Sequence, residues 1–333
     1  MPGPPVSSSR PMRQARSHWS PEVWRPRHLL HLSHQEGQRG PDRLGALLDR
    51  KDAPLTVFQA IILGLTQGIT EFAPVSSSGH LILVPWLFGW SIVQDPALNK
   101  TFDVALHMGT LLGAVIYFGR DLWQYLKAWL SSVRARMIRS QDERFAWALV
   151  IGTIPGAIAG ALFESTIEDR LGQPWLIAVM LACFGVVLYV VDRLCRSDRS
   201  FETIGPRTGL FLGVAQALAL QPGVSRSGVT ITAARLVRLD RESAARASFL
   251  LAIPIIAGAG VLKGVQLEQT GFQGYGSQFF WGFVASAISG FVVIWFLLRY
   301  LRRHDFLIFM IYRLAVAALV LLLIATGVRS ATI

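Results

Sequence analysis

Charged residues are scarce in this sequence. They make up 16% of its 333 residues, whereas hydrophobic residues make up 52%. Soluble globular proteins carry about 25% charged residues, so the composition argues against an ordinary soluble enzyme. Mostly uncharged runs that are long enough to cross a hydrocarbon core of about 30 Å recur along the chain. The sequence therefore predicts an integral membrane protein.

Cysteine is also scarce, and the net charge is one-sided. Cys183 and Cys195 are the two cysteines; they match no metal-binding or redox spacing, and we interpret them as packing residues. The net charge of +11 would suggest nucleic acid binding in a soluble protein. Here the positive residues lie in loops between apolar runs, as is typical of cytoplasmic loops in membrane proteins. We therefore expect no nucleic acid partner.

Residues 1–53 lack any apolar run of useful length and any signal-peptide core. They contain nine Lys or Arg, five Asp or Glu and four of the seven His. We expect either a disordered basic tail or a translation start that truly lies further downstream. The four histidines, which are His18, His28, His31 and His34, lack the cysteines and helical spacing that would favour a zinc site.

Ten apolar segments follow the tail and form one expected membrane domain, residues 54–328. They lie near 56–72, 78–90, 102–118, 145–163, 175–192, 208–220, 228–237, 246–263, 278–298 and 306–327. In two pairs of neighbouring segments, the members of the pair are separated only by a short break, residues 73–77 in one and 221–227 in the other. Each break contains proline. Lipid offers no partner for backbone groups freed at a break. We therefore interpret each pair as a re-entrant helical hairpin.

The two hairpins resemble each other in sequence at a constant offset of 149 residues. Between 63–82 and 212–231, eight of twenty positions are identical without a gap. The matches include Gln67 with Gln216 and Ser76 with Ser225. This similarity indicates an internal duplication, with repeat one near 54–192 and repeat two near 206–328.

The distribution of Lys and Arg predicts the topology. Segments 120–144, 193–207, 235–246 and 299–303 are rich in Arg, whereas 91–101, 164–174 and 264–277 are nearly free of Lys and Arg. Placing the first group in the cytoplasm makes the first hairpin enter from outside and the second from inside, and it leaves the tail outside. The predicted fold is all-α, with about six transmembrane helices and two opposed re-entrant hairpins in an inverted-topology repeat, which places a site near the midplane.

Polar residues of the types that carry out catalysis are concentrated at the first break. Gln67 and Glu71 are spaced i, i+4 and share one helix face, and a carboxylate in an apolar run marks a functional site by default. Ser76, Ser77 and His80 follow directly. An ion pair that only joins the hairpins remains the structural alternative for Glu71, as does a core histidine for His80.

The second break adds a fixed positive charge. Arg226 is flanked by Ser225, Ser227 and Thr230, and a guanidinium with neighbouring hydroxyl and backbone donors suits phosphate oxygens. Arg226 corresponds to Ser77 in the repeat, so the two copies have specialised. If the breaks meet, an anionic phosphate can rest on Arg226 while the first hairpin acts on it.

The segments 67–80 and 222–230 resemble the two signature motifs of the bacterial undecaprenyl-diphosphate phosphatases, the BacA/UppP family of bacitracin resistance. The resemblance covers about residues 54–328 and implies release of the terminal phosphate from undecaprenyl diphosphate, which recycles the lipid carrier for cell-wall synthesis. It also implies a Mg²⁺ or Ca²⁺ cofactor and a site that opens to the outer face of the inner membrane. The long basic N-terminus departs from the family pattern.

The resemblance also implies roles for individual residues. Glu71, Ser77, His80 and Arg226 are the expected catalytic residues; Ser76, Ser225, Arg226, Ser227 and Thr230 are expected to bind phosphate. Gln67 occupies a position that is Glu or Gln in the family. We expect it to have a hydrogen-bonding or metal-water role rather than an acid–base one, and to bind the cofactor together with Glu71.

Several alternatives remain open at the level of sequence. The nucleophile is Ser77, His80 or water. A lipid flippase or secondary transporter is the alternative function, because inverted repeats are common in transporters. The small-residue segment 152–160 suggests a possible homodimer.

Overall fold

The computed structural model describes residues 55–90, 96–270 and 272–332, without the side chains of 96–97, 164–170 and 262–270. The predicted tail, residues 1–53, lies outside this range. Within it the chain is helical, without strands. The helices are α1 Val57–Phe72, α2 Ser77–Phe88, α3 Pro96–Ala135, α4 Gln141–Arg170, α5 Pro174–Leu194, α6 Pro206–Ala217, α7 Arg226–Leu236, α8 Arg241–Thr270, α9 Gly276–Tyr300 and α10 Leu307–Ala325.

Six of these helices are long and apolar enough to cross a membrane, namely α3, α4, α5, α8, α9 and α10. The prediction of an all-α membrane protein with six spans is confirmed. Helix α3 continues to Ala135, well past the apolar segment predicted at 102–118. Between Gly119 and Ala135 the chain contains neither proline nor glycine, so nothing local ends the helix, although its hydropathy falls.

The four short helices form the two predicted hairpins. Helices α1 and α2 are joined through 73–76, and α6 and α7 through 218–225. Ser76 and Ser225 cap α2 and α7 with φ values of 75° and 79°. Non-glycine residues rarely adopt positive φ, and here they do so at matching positions of the repeat. Entry of the hairpins from opposite membrane faces remains a prediction.

Each hairpin packs on a long helix of the other repeat. Helix α1 lies against α9, and α6 lies against α4. A Cβ atom on Gly64 would overlap the carbonyl oxygen of Gly282, and one on Gly213 would overlap that of Gly152. Gly64 and Gly213 are repeat equivalents, so duplicated glycines allow duplicated close approaches. Because each hairpin packs on a helix of the other repeat, both breaks lie in the interior of the same unit.

The small residues of α4 contact helices of the same chain. Gly152 lies against Gly209 and Leu251, and Gly156 lies against Gln216 and Ile255. The small residues of segment 152–160 suggest a homodimer, but two of its three glycines, Gly152 and Gly156, are used for packing inside the chain. A homodimer thus stays a prediction without this support.

Candidate active site where the two breaks meet

The two breaks are joined by direct hydrogen bonds. Ser76 Oγ accepts from the backbone N of Gly223 at 3.0 Å, and Ser227 Oγ donates to the carbonyl oxygen of Ala73 at 3.0 Å. Each hairpin therefore satisfies a backbone group that the break of the other hairpin leaves without a helical partner. These bonds fix the two breaks against each other.

A buried arginine from the last helix holds both breaks. Arg313 is fully buried and donates from Nη1 to the carbonyl of Pro74 at 3.1 Å and from Nη2 to that of Gly223 at 2.8 Å. Pro74 and Gly223 are equivalent at the offset of 149 residues. Sequence analysis missed this residue, although an Arg inside the apolar run 306–327 was a usable signal.

Glu71 is the centre of the site. Its Oε1 accepts from Arg226 Nη2 at 2.8 Å, and its Oε2 accepts from Ser77 Oγ at 2.5 Å and from Gln67 Nε2 at 2.9 Å. The carboxylate is 5% exposed, and burial of such a charge requires this kind of compensation. The structure brings together Gln67, Glu71, Ser77 and Arg226, as their positions at the breaks predict.

His107 on α3 adds a residue that sequence analysis missed. Its Nε2 lies 3.5 Å from Glu71 Oε2. Its Nδ1 contacts the backbone oxygen of Asp103 at 2.8 Å, and because a carbonyl only accepts, Nδ1 carries the proton and Nε2 is left free to exchange one. Asp103 and His107, one turn apart in an apolar run, were an unused signal for a site on this helix.

His80 lies elsewhere. Its Nδ1 donates to the carbonyl oxygen of Ser76 at 2.7 Å, and its Nε2 accepts from the hydroxyl of Tyr312 at 2.8 Å. The two rings are stacked. Both ring nitrogens are thus engaged in holding the first break, and His80 is not among the described residues that line the cavity at Glu71.

Glu71 and its neighbours Ser77, His107 and Arg226 line a cavity of about 280 Å³, which we call the polar cavity. Its lining residues are Glu71, Ser76, Ser77, Ser78, Val104, His107, Gly156, Gln216, Ala219, Leu220, Ser225, Arg226, Ile255, Ile256, Ala259 and Gly260. Three expected phosphate ligands, Ser76, Ser225 and Arg226, are therefore at the cavity.

The other two expected phosphate ligands have structural contacts. Ser227 bonds the first break, as described above. Thr230 is fully buried; its hydroxyl donates to the carbonyl oxygen of Arg226 at 2.8 Å and contacts Ser248 on α8 at 2.5 Å. Neither residue lines the polar cavity, so their roles in phosphate binding remain predictions.

An apolar cavity of about 470 Å³ adjoins the polar one. Its lining residues are Thr101, Val104, Ala105, Met108, Gly260, Phe272, Gly276, Phe279, Phe280 and Phe283. Val104 and Gly260 line both cavities. A molecule with an anionic end and a long apolar end would match the two cavities together.

Residues 60–319 match the family model of the bacitracin resistance protein BacA. An undecaprenyl-diphosphatase of Moorella thermoacetica is 47% identical over 266 residues, which cover 80% of this chain and 97% of that protein. Those of Thermomicrobium roseum and Desulforudis audaxviator are 43% and 44% identical; they cover 83% and 80% of this chain, and 100% and 97% of their own lengths.

Proposed function

The chain belongs to the bacitracin resistance protein BacA family, and from this we propose that it removes the terminal phosphate of undecaprenyl diphosphate. The products are undecaprenyl phosphate and inorganic phosphate, and the lipid returns to cell-wall synthesis. The names of the relatives favour this hydrolysis over the flippase or transporter alternative. The structural observation that carries the proposal is the contact of Glu71 with Ser77 and Arg226 at the wall of the polar cavity.

Several groups at this cavity attract an anion. Helices α2 and α7 begin at Ser77 and Arg226, so the positive ends of two helix dipoles face the same space. Arg226 uses Nη2 for Glu71, while its buried Nη1 has no hydrogen-bond partner in the part of the chain that the structure describes. A phosphate oxygen would satisfy Nη1 and use the fork of the guanidinium.

Ser77 is the nucleophile in our proposal. Its Oγ already donates to Glu71 Oε2 at 2.5 Å, which is the geometry of a hydroxyl beside its general base. Attack on the terminal phosphorus would break the phosphoanhydride bond, transfer the Ser77 proton to Glu71, and expel undecaprenyl phosphate. Undecaprenyl phosphate then leaves, and water attacks the phosphoserine. The protonated Glu71 returns its proton to Ser77 Oγ as the serine–phosphate bond breaks, and the proton of the attacking water passes to the released phosphate. His80, with both nitrogens engaged at the break, is a positioning residue in this scheme.

His107 is the second group that exchanges protons. Its Nε2, which carries no proton, faces Glu71 Oε2 at 3.5 Å, so it is placed to take up the proton that Glu71 receives. Once protonated, it can donate a hydrogen bond to the departing phosphate. The hydrogen bond of Nδ1 with Asp103 fixes the orientation of the ring.

The prenyl chain occupies the apolar cavity. Its walls are formed mainly by Phe, Val, Ala and Met side chains, and burial of the lipid there excludes water from the neighbouring polar cavity. Val104 and Gly260, which line both cavities, lie where the diphosphate of the substrate joins the prenyl chain. The volume of about 470 Å³ accommodates the first isoprene units, and the remaining chain extends into the bilayer.

The site offers two protein oxygen ligands for a Mg²⁺ or Ca²⁺ ion, and the described residues contain no cluster of three His, Cys, Asp or Glu side chains that could hold an ion by themselves. Gln67 Oε1 is buried next to Glu71 and has no hydrogen-bond partner within the described ranges, and amide and carboxylate oxygens are the ligands these ions prefer. Gln67 and Glu71 would hold the ion together with phosphate oxygens. When bound, it would neutralise charge on the diphosphate.

The proposed location is the bacterial inner membrane, with the polar cavity accessible from the outer side. The family resemblance supports this orientation. The positive-inside distribution supports it too, because it lets the first hairpin, with Glu71 and Ser77, enter from outside.

Release of inorganic phosphate from a C55 prenyl diphosphate by the purified protein in detergent tests the proposal. We expect turnover by the wild type and a loss of at least about a hundredfold in Glu71→Ala. Glu71→Gln keeps a partner for Arg226 but removes the base, so it should lose activity with less destabilisation. An inactive wild type that binds or moves the lipid across a sealed bilayer would support the transport alternative.

A further inference from the structure

Gln216 on α6 is a buried amide with an unusual environment. The residue is 3% exposed and lines the polar cavity. Neither its Nε2 nor its Oε1 has a hydrogen-bond partner among the residues that the structure describes. Burial of such a group costs free energy unless a partner compensates it. A buried polar group without a partner requires an explanation, and at the wall of a cavity a bound ligand can supply the missing hydrogen bonds.

Comparison of the two repeats shows which hydrogen-bond partner Gln216 lacks. Its equivalent in the first hairpin, Gln67, donates to Glu71 one helical turn away at 2.9 Å. The residue one turn after Gln216 is Leu220, which offers no acceptor. The same amide is therefore kept in both copies, but in the second copy its intramolecular partner is absent. Gln67 orients a carboxylate, and Gln216 is left to contact something else.

The surroundings hold the amide in place. A Cβ atom on Gly156 would lie 3.0 Å from Gln216 Nε2 and 2.8 Å from a methyl carbon of Ile255. The glycine on α4 thus provides the space that the amide fills. Since a larger residue would push the amide aside, the position of Gln216 is determined by packing rather than by hydrogen bonds.

The polar cavity contains two buried donor groups that lack partners within the described part of the chain, Arg226 Nη1 and Gln216 Nε2. A diphosphate has two phosphate groups. Arg226 shares Glu71 with Ser77, so the phosphate that Ser77 attacks, the terminal one, lies on Arg226. Of these two donors, the Gln216 amide is then the one left for the phosphate attached to the lipid.

We propose that Gln216 Nε2 donates a hydrogen bond to the lipid-linked phosphate and so makes the site favour a diphosphate over a monophosphate. This inference rests on the proposed function. The amide is uncharged, which suits a group that must release the lipid monophosphate once the terminal phosphate has been transferred to Ser77. With one phosphate gone, the product cannot contact Arg226 and Gln216 together, and its affinity falls.

Binding of two soluble probes, methylenediphosphonate and inorganic phosphate, tests this role directly. Both are titrated into wild type and Gln216→Leu in detergent by calorimetry. We expect Gln216→Leu to weaken diphosphonate binding about tenfold, the loss of one hydrogen bond to a charged group, and to change phosphate binding less than about twofold. Equal changes for both probes, or no change for either, would overturn the proposal.

Gln124→Leu is the matched control, since Gln124 is an exposed glutamine of α3 outside the polar cavity. It should bind both probes as the wild type does. Because the probes are measured by binding, this result is independent of turnover: failure of the wild type to release phosphate contradicts the proposed function, whereas an unaltered preference in Gln216→Leu contradicts only the role of Gln216.

Thermal unfolding separates a ligand contact from a structural role. Leu removes an amide without partners in the described structure at nearly constant volume, so Gln216→Leu should unfold at the same or a higher temperature than the wild type. Gln216→Asn provides a second variant, which keeps the amide but withdraws it by one methylene; it should also lose the preference for the diphosphonate. A lower unfolding temperature with an unchanged preference would assign Gln216 a structural role.

Discussion

Glu71 Oε1 and Arg226 Nη2 lie 2.8 Å apart, although the two residues are separated by 155 positions in the sequence. One belongs to the end of α1 and the other to the start of α7, in opposite copies of the repeat. The ion pair is almost completely buried, with side-chain exposures of 4% for Glu71 and 15% for Arg226. The acidic and the cationic half of the site are therefore a single electrostatic unit.

Arg226→Lys tests the geometry of this unit. A lysine keeps the charge but cannot bind Glu71 through one nitrogen and phosphate through another. We expect kcat/KM for phosphate release to fall about a hundredfold, as for loss of one preorganised donor. The control is Arg303→Lys, at an exposed turn, which should leave the rate unchanged. Activity of Arg226→Lys within about threefold of wild type would mean that phosphate is held elsewhere.

Ser77 should carry the phosphoryl group during turnover. Acid quenching of the wild type with a substrate labelled in the terminal phosphate is expected to trap phosphoserine, and peptide mapping should locate it at Ser77. Ser77→Ala should lose turnover by about a thousandfold or more, as other enzymes do without their nucleophile. Label on His80 would reject the assignment, and absence of a covalent species in an active enzyme would indicate direct attack by water.

His80 should act through the backbone of the first break. His80→Ala removes the donor to the carbonyl oxygen of Ser76, so we expect lower activity and a lower unfolding temperature. Asn can place its amide nitrogen near the position of Nδ1, and His80→Asn should recover much of both. Turnover and thermal unfolding of the two variants are compared; a complete loss of turnover in His80→Asn with normal stability would instead support direct catalysis by the imidazole.

Asp192 should stabilise the fold far more than an exposed acidic residue does. It is 2% exposed and accepts from Arg235 Nε at 2.8 Å and Arg241 Nε at 2.9 Å. Asp192→Ala leaves the buried Arg235 without its counter-ion, so we expect a loss of about 3–5 kcal/mol. Asp198→Ala breaks the exposed pair with Arg238, and should cost about 0–1 kcal/mol. Chemical unfolding in detergent measures both, and equal losses would contradict this ranking.

Gly64 should be intolerant of even a methyl group. A Cβ there overlaps the backbone of Gly282, so Gly64→Ala must separate α1 from α9 and displace Glu71. We expect reduced stability together with reduced turnover. Gly119 on α3 has no neighbour within 4 Å of an added Cβ. Gly119→Ala should therefore be neutral or slightly stabilising, because alanine is more favourable than glycine in a helix by about 1 kcal/mol. Equal behaviour of the two variants would show that α1 is not closely packed.

The segments of the fold were predictable because their signals are local. Apolar length identifies a membrane span, and the prolines of 73–77 and 221–227 interrupt the helices wherever the rest of the chain lies. The predicted pairs 56–72 with 78–90 and 208–220 with 228–237 agree closely with the observed short helices. The extension of α3 to Ala135 was missed, since apolar length reports the membrane and not the end of a helix.

The site was predictable only in part. Glu71, Ser77 and Arg226 lie at the breaks, so the repeat alone suggested that they meet. His107 and Gln216 come from α3 and α6 and reach the same cavity through packing between elements distant in sequence. We predicted a catalytic role for His80 as well, but its ring nitrogens contact the Ser76 carbonyl oxygen and the hydroxyl of Tyr312, a residue 232 positions away that no local pattern indicates.

The class of protein, the six spans and the duplicated breaks could be predicted from linear patterns, because hydropathy and proline act within short stretches of chain and the repeat appears at a constant offset. Which atoms of the residues at the breaks are used depends instead on how distant segments pack together. Nη2 of Arg226 binds Glu71 of the other repeat, and Nη1 has no partner in the described structure. The amide of Gln216 finds no such contact there, since hydrogen-bond partners are chosen by distances of a few ångströms that no linear pattern contains.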